Sequence, residues 1–209
     1  MLFRVAPVLL ALALARASPS QIIPFESNGL KYKALTRGGV TIMFAQLPTH
    51  VRGYAILQVS ISNGSPVSWT VRPEDFRFER DDGFAIRALP AKTLVSSLMA
   101  KASRSDVSKL VVAYETALYG NAQMHSTNGY EARRQDALAE FGSNKMKAAA
   151  AASAIALVTT KLQPGQSTDG AVFYPNNSKP LGSGKLIADI AGEQFVFPVE
   201  PEPPPVHGH

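Results

Sequence analysis

Hydrophobic and polar residues alternate along much of the chain, and this pattern predicts β-strands. Apolar side chains recur at about every second position in LKYKAL (30–35), GVTIMFAQL (39–47) and YAILQVSISNGSP (54–66), which is typical of half-buried strands. Asn-Gly at 63–64 and Asp-Gly at 82–83 are turn signals. Such short strands with turns between them indicate an antiparallel β-sandwich. Further strand-like runs lie at 68–86, 167–175, 184–190 and 192–200.

The hydrophobic period changes to that of a helix in the middle of the chain. Residues 91–103, 105–120 and 128–142 place apolar side chains three and four positions apart, which predicts helices. The alanine-rich run 148–158 is uncharged but shorter than the ~20 residues that a membrane-spanning helix needs. We interpret it as a helix packed in the core. An interfacial membrane helix is the alternative, although the run lacks aromatic anchors and a basic face.

The order of strands, helices and strands predicts an α+β protein, in which a helical segment is inserted into a β-sandwich. The C-terminal strands would complete the sheets, because a few strands on their own are only marginally stable. The predicted organisation is a signal peptide at 1–17, N-terminal strands at 18–89, a helical insertion at 90–160, C-terminal strands at 161–200 and a disordered proline-rich tail at 201–209.

The N-terminus has the three parts of a secretory signal. Arg4 is followed by an apolar stretch at 5–15 and by the small-x-small sequence Ala15-Arg16-Ala17. This arrangement predicts export, with cleavage before Ser18. An uncleaved anchor is the alternative, but the apolar stretch is short for a span. No transmembrane segment is expected after the signal is removed.

Two stretches resemble exported bacterial proteins that have an Ig-like β-sandwich with a helical insertion. They are VSISNGSPVSWTVRPEDFRFERDDG (59–83) and LQPGQSTDGAVFYP (162–175). The resemblance covers about forty residues at the level of a pattern. It implies an immunoglobulin-like fold and export to the periplasm or the cell exterior. It transfers no catalytic residue, and sandwich folds serve many functions.

Charge and cysteine content narrow the classes of function. The formal net charge of +5 falls by two when Arg4 and Arg16 leave with the signal, and no run of five or more basic residues is present. These features argue against nucleic acid as a partner. The absence of cysteine excludes disulfides, cysteine metal sites and a catalytic thiol. For an exported chain, this composition favours a bacterial envelope.

The sequence predicts no catalytic site, no metal site and no cofactor. The four histidines lack a metal-ligand spacing, and Met124-His125 reads as a polar loop. No nucleophile elbow is present. The carboxylate candidates for glycoside hydrolysis are Glu74 with Asp75, or Glu79 with Asp81 and Asp82. Glu74 and Asp75 are better explained by a corner before a strand, and Asp81 and Asp82 by a turn.

One group of aromatic and charged residues in the predicted insertion is suited to a protein interface. Tyrosine and arginine are favoured at interfaces, although tyrosines on apolar helix faces can simply pack the helices together. We therefore expect a non-enzymatic envelope protein that binds a protein or cell-wall component. A membrane-associated protein and a periplasmic hydrolase or metal carrier are the alternatives. The candidate binding residues are Tyr119, Tyr130, Glu131, Arg133 and Arg134.

Overall fold

The computed structural model describes residues 21–27, 29–47, 53–91, 154–176 and 181–201, together with positions 93, 94, 97, 112 and 152. The described residues are mainly β, with 60% in strands and 10% helical. The strands are β1 (Ile23–Ser27), β2 (Leu30–Arg37), β3 (Val40–Gln46), β4 (Tyr54–Asn63), β5 (Trp69–Val71), β6 (Phe76–Arg80), β7 (Ala85–Arg87), β8 (Thr160–Leu162), β9 (Ser167–Pro175), β10 (Gly184–Ile190) and β11 (Glu193–Val199).

These strands form three antiparallel sheets. One sheet has five strands in the order β1-β2-β3-β4-β9, and a second has four in the order β11-β10-β6-β7. The short strands β5 and β8 pair separately, with Trp69 opposite Leu162. In β4, Leu57, Val59 and Ile61 alternate with Gln58 and Ser60, so the two sets of side chains point to opposite faces of the sheet.

The inner face of the five-stranded sheet packs against the four-stranded sheet. Their shared core is aromatic and aliphatic, and Phe44 meets Phe197 edge to face with ring centroids 5.1 Å apart. Such pairs stabilise a core beyond the burial of their area. We call this pair of sheets the two-sheet body. Its buried residues include Leu35, Ile42, Phe44, Leu57, Val59, Ile61, Phe76, Phe78, Tyr174, Leu186, Phe195 and Phe197.

The outer face of the five-stranded sheet carries a second core. Tyr32, Ile56 and Phe173 from the sheet are buried there beside residues of the segment between β7 and β8. Phe25 of β1 stacks on Tyr32 with ring centroids 5.1 Å apart and an interplanar angle of 9°. We call residues 88–159 the inserted segment. Its described contributions to this core are Leu89, Ala91, Leu94, Ala152, Ala154, Ile155 and Ala156.

The predicted α+β class with a helical insertion is wrong. The described residues contain no helix of seven or more residues, and most of 90–160 lies outside them. The alanine-rich run ends in extended backbone, where Ala156 forms a parallel bridge with Ala171 of β9. The high helix propensity of alanine is a weak preference that such a tertiary contact overrides. The protein is therefore mainly β.

The predicted strands and turns agree better with the structure. Antiparallel strands occupy the alternating runs from residue 30 onwards, and the arrangement of the sheets is compatible with a β-sandwich. The turn at Asp82 is confirmed, because its Oδ1 accepts a hydrogen bond of 3.1 Å from the Phe84 amide. The more specific assignment of the protein to an Ig-like fold stays a prediction.

Candidate functional site

The inserted segment is joined to the two-sheet body at the free edge of β9. On entry, the amide of Leu89 donates a hydrogen bond of 2.9 Å to the carbonyl of Phe173. On exit, the amide of Leu157 donates one of 2.9 Å to the carbonyl of Ala171. Both ends of the segment are thus held by carbonyls two residues apart on one strand. They also cover a sheet edge that would otherwise be open to another chain.

Gly170 makes the close approach at the exit point possible. A Cβ atom at this position would lie 2.5 Å from the Cα of Leu157 and 2.6 Å from its amide nitrogen. A larger residue would push the two backbones apart, because backbone atoms cannot yield as the end of a flexible side chain can. The site at which the inserted segment returns to the two-sheet body therefore depends on a residue without a side chain.

Four polar side chains lie buried on the outer face near these crossing points. Ala45 of β3 lies between Tyr32 and Gln58 in the register, and Ser60 lies opposite Asp169 on β9. Asp169 is only 2% exposed, and Gln58 is fully buried. We call this group the outer polar cluster: Tyr32, Gln58, Ser60 and Asp169.

The outer polar cluster is only partly satisfied by hydrogen bonds. The Tyr32 hydroxyl donates to Gln58 Oε1 at 3.3 Å, while Gln58 Nε2 has no hydrogen-bond partner in the part of the chain that the structure describes. Burial, and then the negative charge of Asp169, raises the pKa of Tyr32 to about 12. The phenol is therefore protonated at neutral pH and acts as a hydrogen-bond donor, not as a general base.

A further polar contact links the outer face to the inserted segment. Tyr54 of β4 and Ser97 share a hydrogen bond through their hydroxyl groups, and the Tyr54 ring meets Phe173 edge to face at 6.3 Å. Because hydrogen bonds have directional preferences that apolar contacts lack, the contact constrains how Ser97 lies on the sheet. The outer face thus combines apolar contacts with polar ones that orient the segment.

The predicted binding residues cannot be compared with this geometry. Tyr119, Tyr130, Glu131, Arg133 and Arg134 all lie outside the described residues, as does Met124-His125. The sequence did not single out the outer polar cluster, because Gln58 and Ser60 alternate with apolar residues and so look like the solvent-facing side of a strand. The polar residue Asp169 inside a buried strand was the signal that could have indicated a covered face.

Two of the carboxylate candidates, Asp75 and Asp82, have structural roles. Asp75 Oδ2 accepts a hydrogen bond of 2.7 Å from the Arg72 amide at the 3-10 turn Pro73–Asp75, as expected for a corner before a strand. Its pKa is raised chiefly by burial, and the bond from Arg72 opposes that shift. In the β6–β7 turn, Asp82 Oδ2 forms an ion pair with Arg80 Nη2 at 3.0 Å.

Two features of the described residues bear on the metal-carrier and membrane alternatives drawn from the sequence. Within the described ranges, no three His, Cys, Asp or Glu side chains are grouped as a metal site would require. No helix in those ranges has the length and apolar character to cross a membrane. Ala152, Ala154 and Ile155 of the alanine-rich run are buried against the outer face, where they do not present an apolar surface to lipid.

No protein-family model matches the chain, and the comparison with curated proteins gives no match. A crystal structure of the yjhA protein from Bacillus subtilis is similar over 85% of this chain and 96% of that one, with 9% sequence identity and a TM-score of 0.36.

Proposed function

We propose that the chain is an exported cell-envelope protein of non-enzymatic type, in which the inserted segment binds a protein or cell-wall component. Export is supported by the signal pattern at 1–17. Strand β1 begins at Ile23, so the proposed cleavage site before Ser18 precedes the folded strands. A signal peptidase could then act without disturbing the five-stranded sheet.

The observation that carries the binding role is the attachment of the inserted segment to β9. Its two ends are fixed by hydrogen bonds to Phe173 and Ala171, and its described apolar residues pack on the outer face. A segment that is anchored on a rigid sheet can present a surface to a partner without altering the framework. The residues proposed for contact are Tyr119, Arg133 and Arg134, with Tyr130 and Glu131 beside them in sequence.

Deleting the whole segment would be a poor test. Tyr32, Tyr54, Ile56 and Phe173 are buried on the outer face, and removing their cover would expose an apolar surface that promotes aggregation. A loss of binding would then have two explanations. Substitutions within the segment that leave its described packing residues in place give a cleaner result.

Site-specific photo-crosslinking in the native envelope tests the proposal. A photo-reactive residue is placed at Tyr130 or Glu131, and at the exposed body positions Arg87 and Lys161 as controls. We expect one partner to be captured from the segment and not from the controls. The triple variant Tyr119→Ala, Arg133→Ala, Arg134→Ala should abolish that capture. Equal capture from all four positions, or none from the segment, would contradict the proposal.

A further inference from the structure

Strand β2 carries three basic side chains that face the four-stranded sheet. Lys31, Lys33 and Arg37 share this face, with buried Leu35 between them. Arg37 Nη1 donates a hydrogen bond of 2.7 Å to the carbonyl of Gln194, and Lys33 Nζ donates one of 2.7 Å to the carbonyl of Pro198. These bonds connect two positions of the edge strand β11 to β2. We call Lys31, Lys33 and Arg37 the basic strip.

The two hydrogen bonds define how β11 runs past the basic strip. Moving four residues forward along β11, from Gln194 to Pro198, corresponds to moving four residues back along β2, from Arg37 to Lys33. The chain leaves β11 in the same direction, since Glu200 Oε1 lies 3.6 Å from Lys33 Nζ. Continued at this spacing, residue 200 is level with Lys31, and its carboxylate reaches back to Lys33. A carboxylate at 202 that reaches back in the same way lies beside Lys31.

Lys31 is the member of the basic strip that has room for another partner. Its side chain is exposed, and no described residue forms a hydrogen bond or ion pair with it. Glu26 lies directly opposite on β1 and is the competing carboxylate. The sequence that follows β11 is EPEPPPV (200–206), which supplies a second carboxylate at Glu202.

We propose that residues 201–206 dock in cis along the basic strip, with Glu202 beside Lys31, in place of the disordered tail that the sequence predicts. Proline-rich segments adopt an extended helix that needs no backbone hydrogen-bond partner. Such a segment loses little conformational freedom on docking. Docked there, the tail covers the inner side of β1 and β2 next to the β11 edge. The attraction is between exposed charges and is therefore screened by salt.

Paramagnetic broadening provides a direct test. The chain contains no cysteine, so Val206→Cys introduces a single thiol for a nitroxide label. We expect the label to weaken amide signals of positions 29–31 in the purified protein, and not those near Gly165 at the opposite end of the sheet. The broadening should fall several-fold in about 1 M salt, where the screening length is about 3 Å.

Charge variants separate docking from a change in folding. Glu202→Gln alters only the tail and should reduce the broadening at 29–31, as should Lys31→Glu. The matched control is Lys161→Glu, an exposed lysine on β8, which should leave it unchanged. Glu26→Gln removes the competing carboxylate and should increase the broadening.

Three results would overturn the inference. One is the absence of position-specific broadening in the labelled protein. Another is broadening that is the same in Glu202→Gln as in the parent. The third is broadening that increases with protein concentration, because the tail would then be bound to a second copy and not to its own β2.

Discussion

The two faces of the five-stranded sheet are both buried, but different parts of the chain bury them. The inner face meets a second sheet through a core that includes Phe44 and Phe197. The outer face meets the inserted segment, and there the buried residues include Gln58 and Asp169. The inner contact is thus almost entirely apolar, whereas the outer contact mixes small apolar residues with polar groups.

This difference indicates that the two faces have different roles in the protein. Aromatic burial on the inner face provides most of the stability of the two-sheet body. On the outer face, a partly satisfied polar cluster contributes less to stability, but its hydrogen bonds have directional requirements. The outer face is therefore suited to fixing the position of the inserted segment, which carries the residues proposed for binding.

The largest expected effect comes from truncating an inner-face aromatic residue. Phe197 is fully buried, so Phe197→Ala should lower the free energy of unfolding by about 3–5 kcal/mol. Phe84 is 60% exposed at the β6–β7 turn, and Phe84→Ala is the matched control, with a change within about 0.5 kcal/mol. Urea denaturation measures both. Similar losses in the two variants would contradict the assignment of the inner core.

The attachment of the inserted segment can be broken at Gly170. Gly170→Ala places a Cβ atom against the Leu157 backbone and should cost about 1–3 kcal/mol, as overpacking does. Limited proteolysis should also show faster cleavage within the segment. Gly182→Ala is the comparison, because its Cβ would meet open space while its φ of +77° makes alanine unfavourable. Faster cleavage of the segment in both variants would count against the attachment at β9.

The inner face was easier to predict from the sequence than the outer face. In β4, the alternation of Leu57, Val59 and Ile61 with polar residues identifies the strand and its apolar side. The same alternation predicts that Gln58 and Ser60 face solvent, yet both are buried. The alternation shows which side of the strand is polar. It cannot show that a segment distant in sequence covers that polar side.

For a related reason, the order of the strands and the attachment of the inserted segment to β9 could not be predicted from local sequence patterns. Strand pairing between β4 and β9 joins residues more than a hundred positions apart, and alternation within each strand is compatible with several partners. The bridge between Ala156 and Ala171 lies in a run whose composition favours a helix. At this bridge, Gly170 is the local sign of a close backbone approach.

Alkaline pH should destabilise the protein through tyrosines on both faces. Burial and the charge of Asp169 raise the pKa of Tyr32 to about 12, and burial raises that of Tyr174, whereas an unfolded tyrosine titrates near ~10. The unfolded chain therefore loses these protons first. The Tyr32 contribution is intact below pH ~10 and is lost as the pH rises to about 12, at about 1.4 kcal/mol per pH unit.

Urea denaturation between pH 9 and pH 11.5 would measure this slope. Tyr32→Phe and Tyr174→Phe should each make the decline shallower, because each removes one buried phenol that resists ionisation in the folded state. A decline of unchanged steepness in both variants would show that other groups cause the alkaline loss.

At neutral pH, the same two substitutions should change the free energy of unfolding in different directions. Tyr32→Phe leaves Gln58 Oε1 without its donor and should cost about 1 kcal/mol. Tyr174 is fully buried, and its hydroxyl has no hydrogen bond to any described residue, so Tyr174→Phe should be neutral or stabilising by up to about 1 kcal/mol. The double variant Tyr32→Phe, Gln58→Leu should recover most of the loss, since both buried partners then become apolar.

Equal losses from the two single variants would mean that the outer polar cluster contributes no more to stability than the unpaired phenol on the inner face. The polar cluster would then have no measurable part in holding the inserted segment on the sheet.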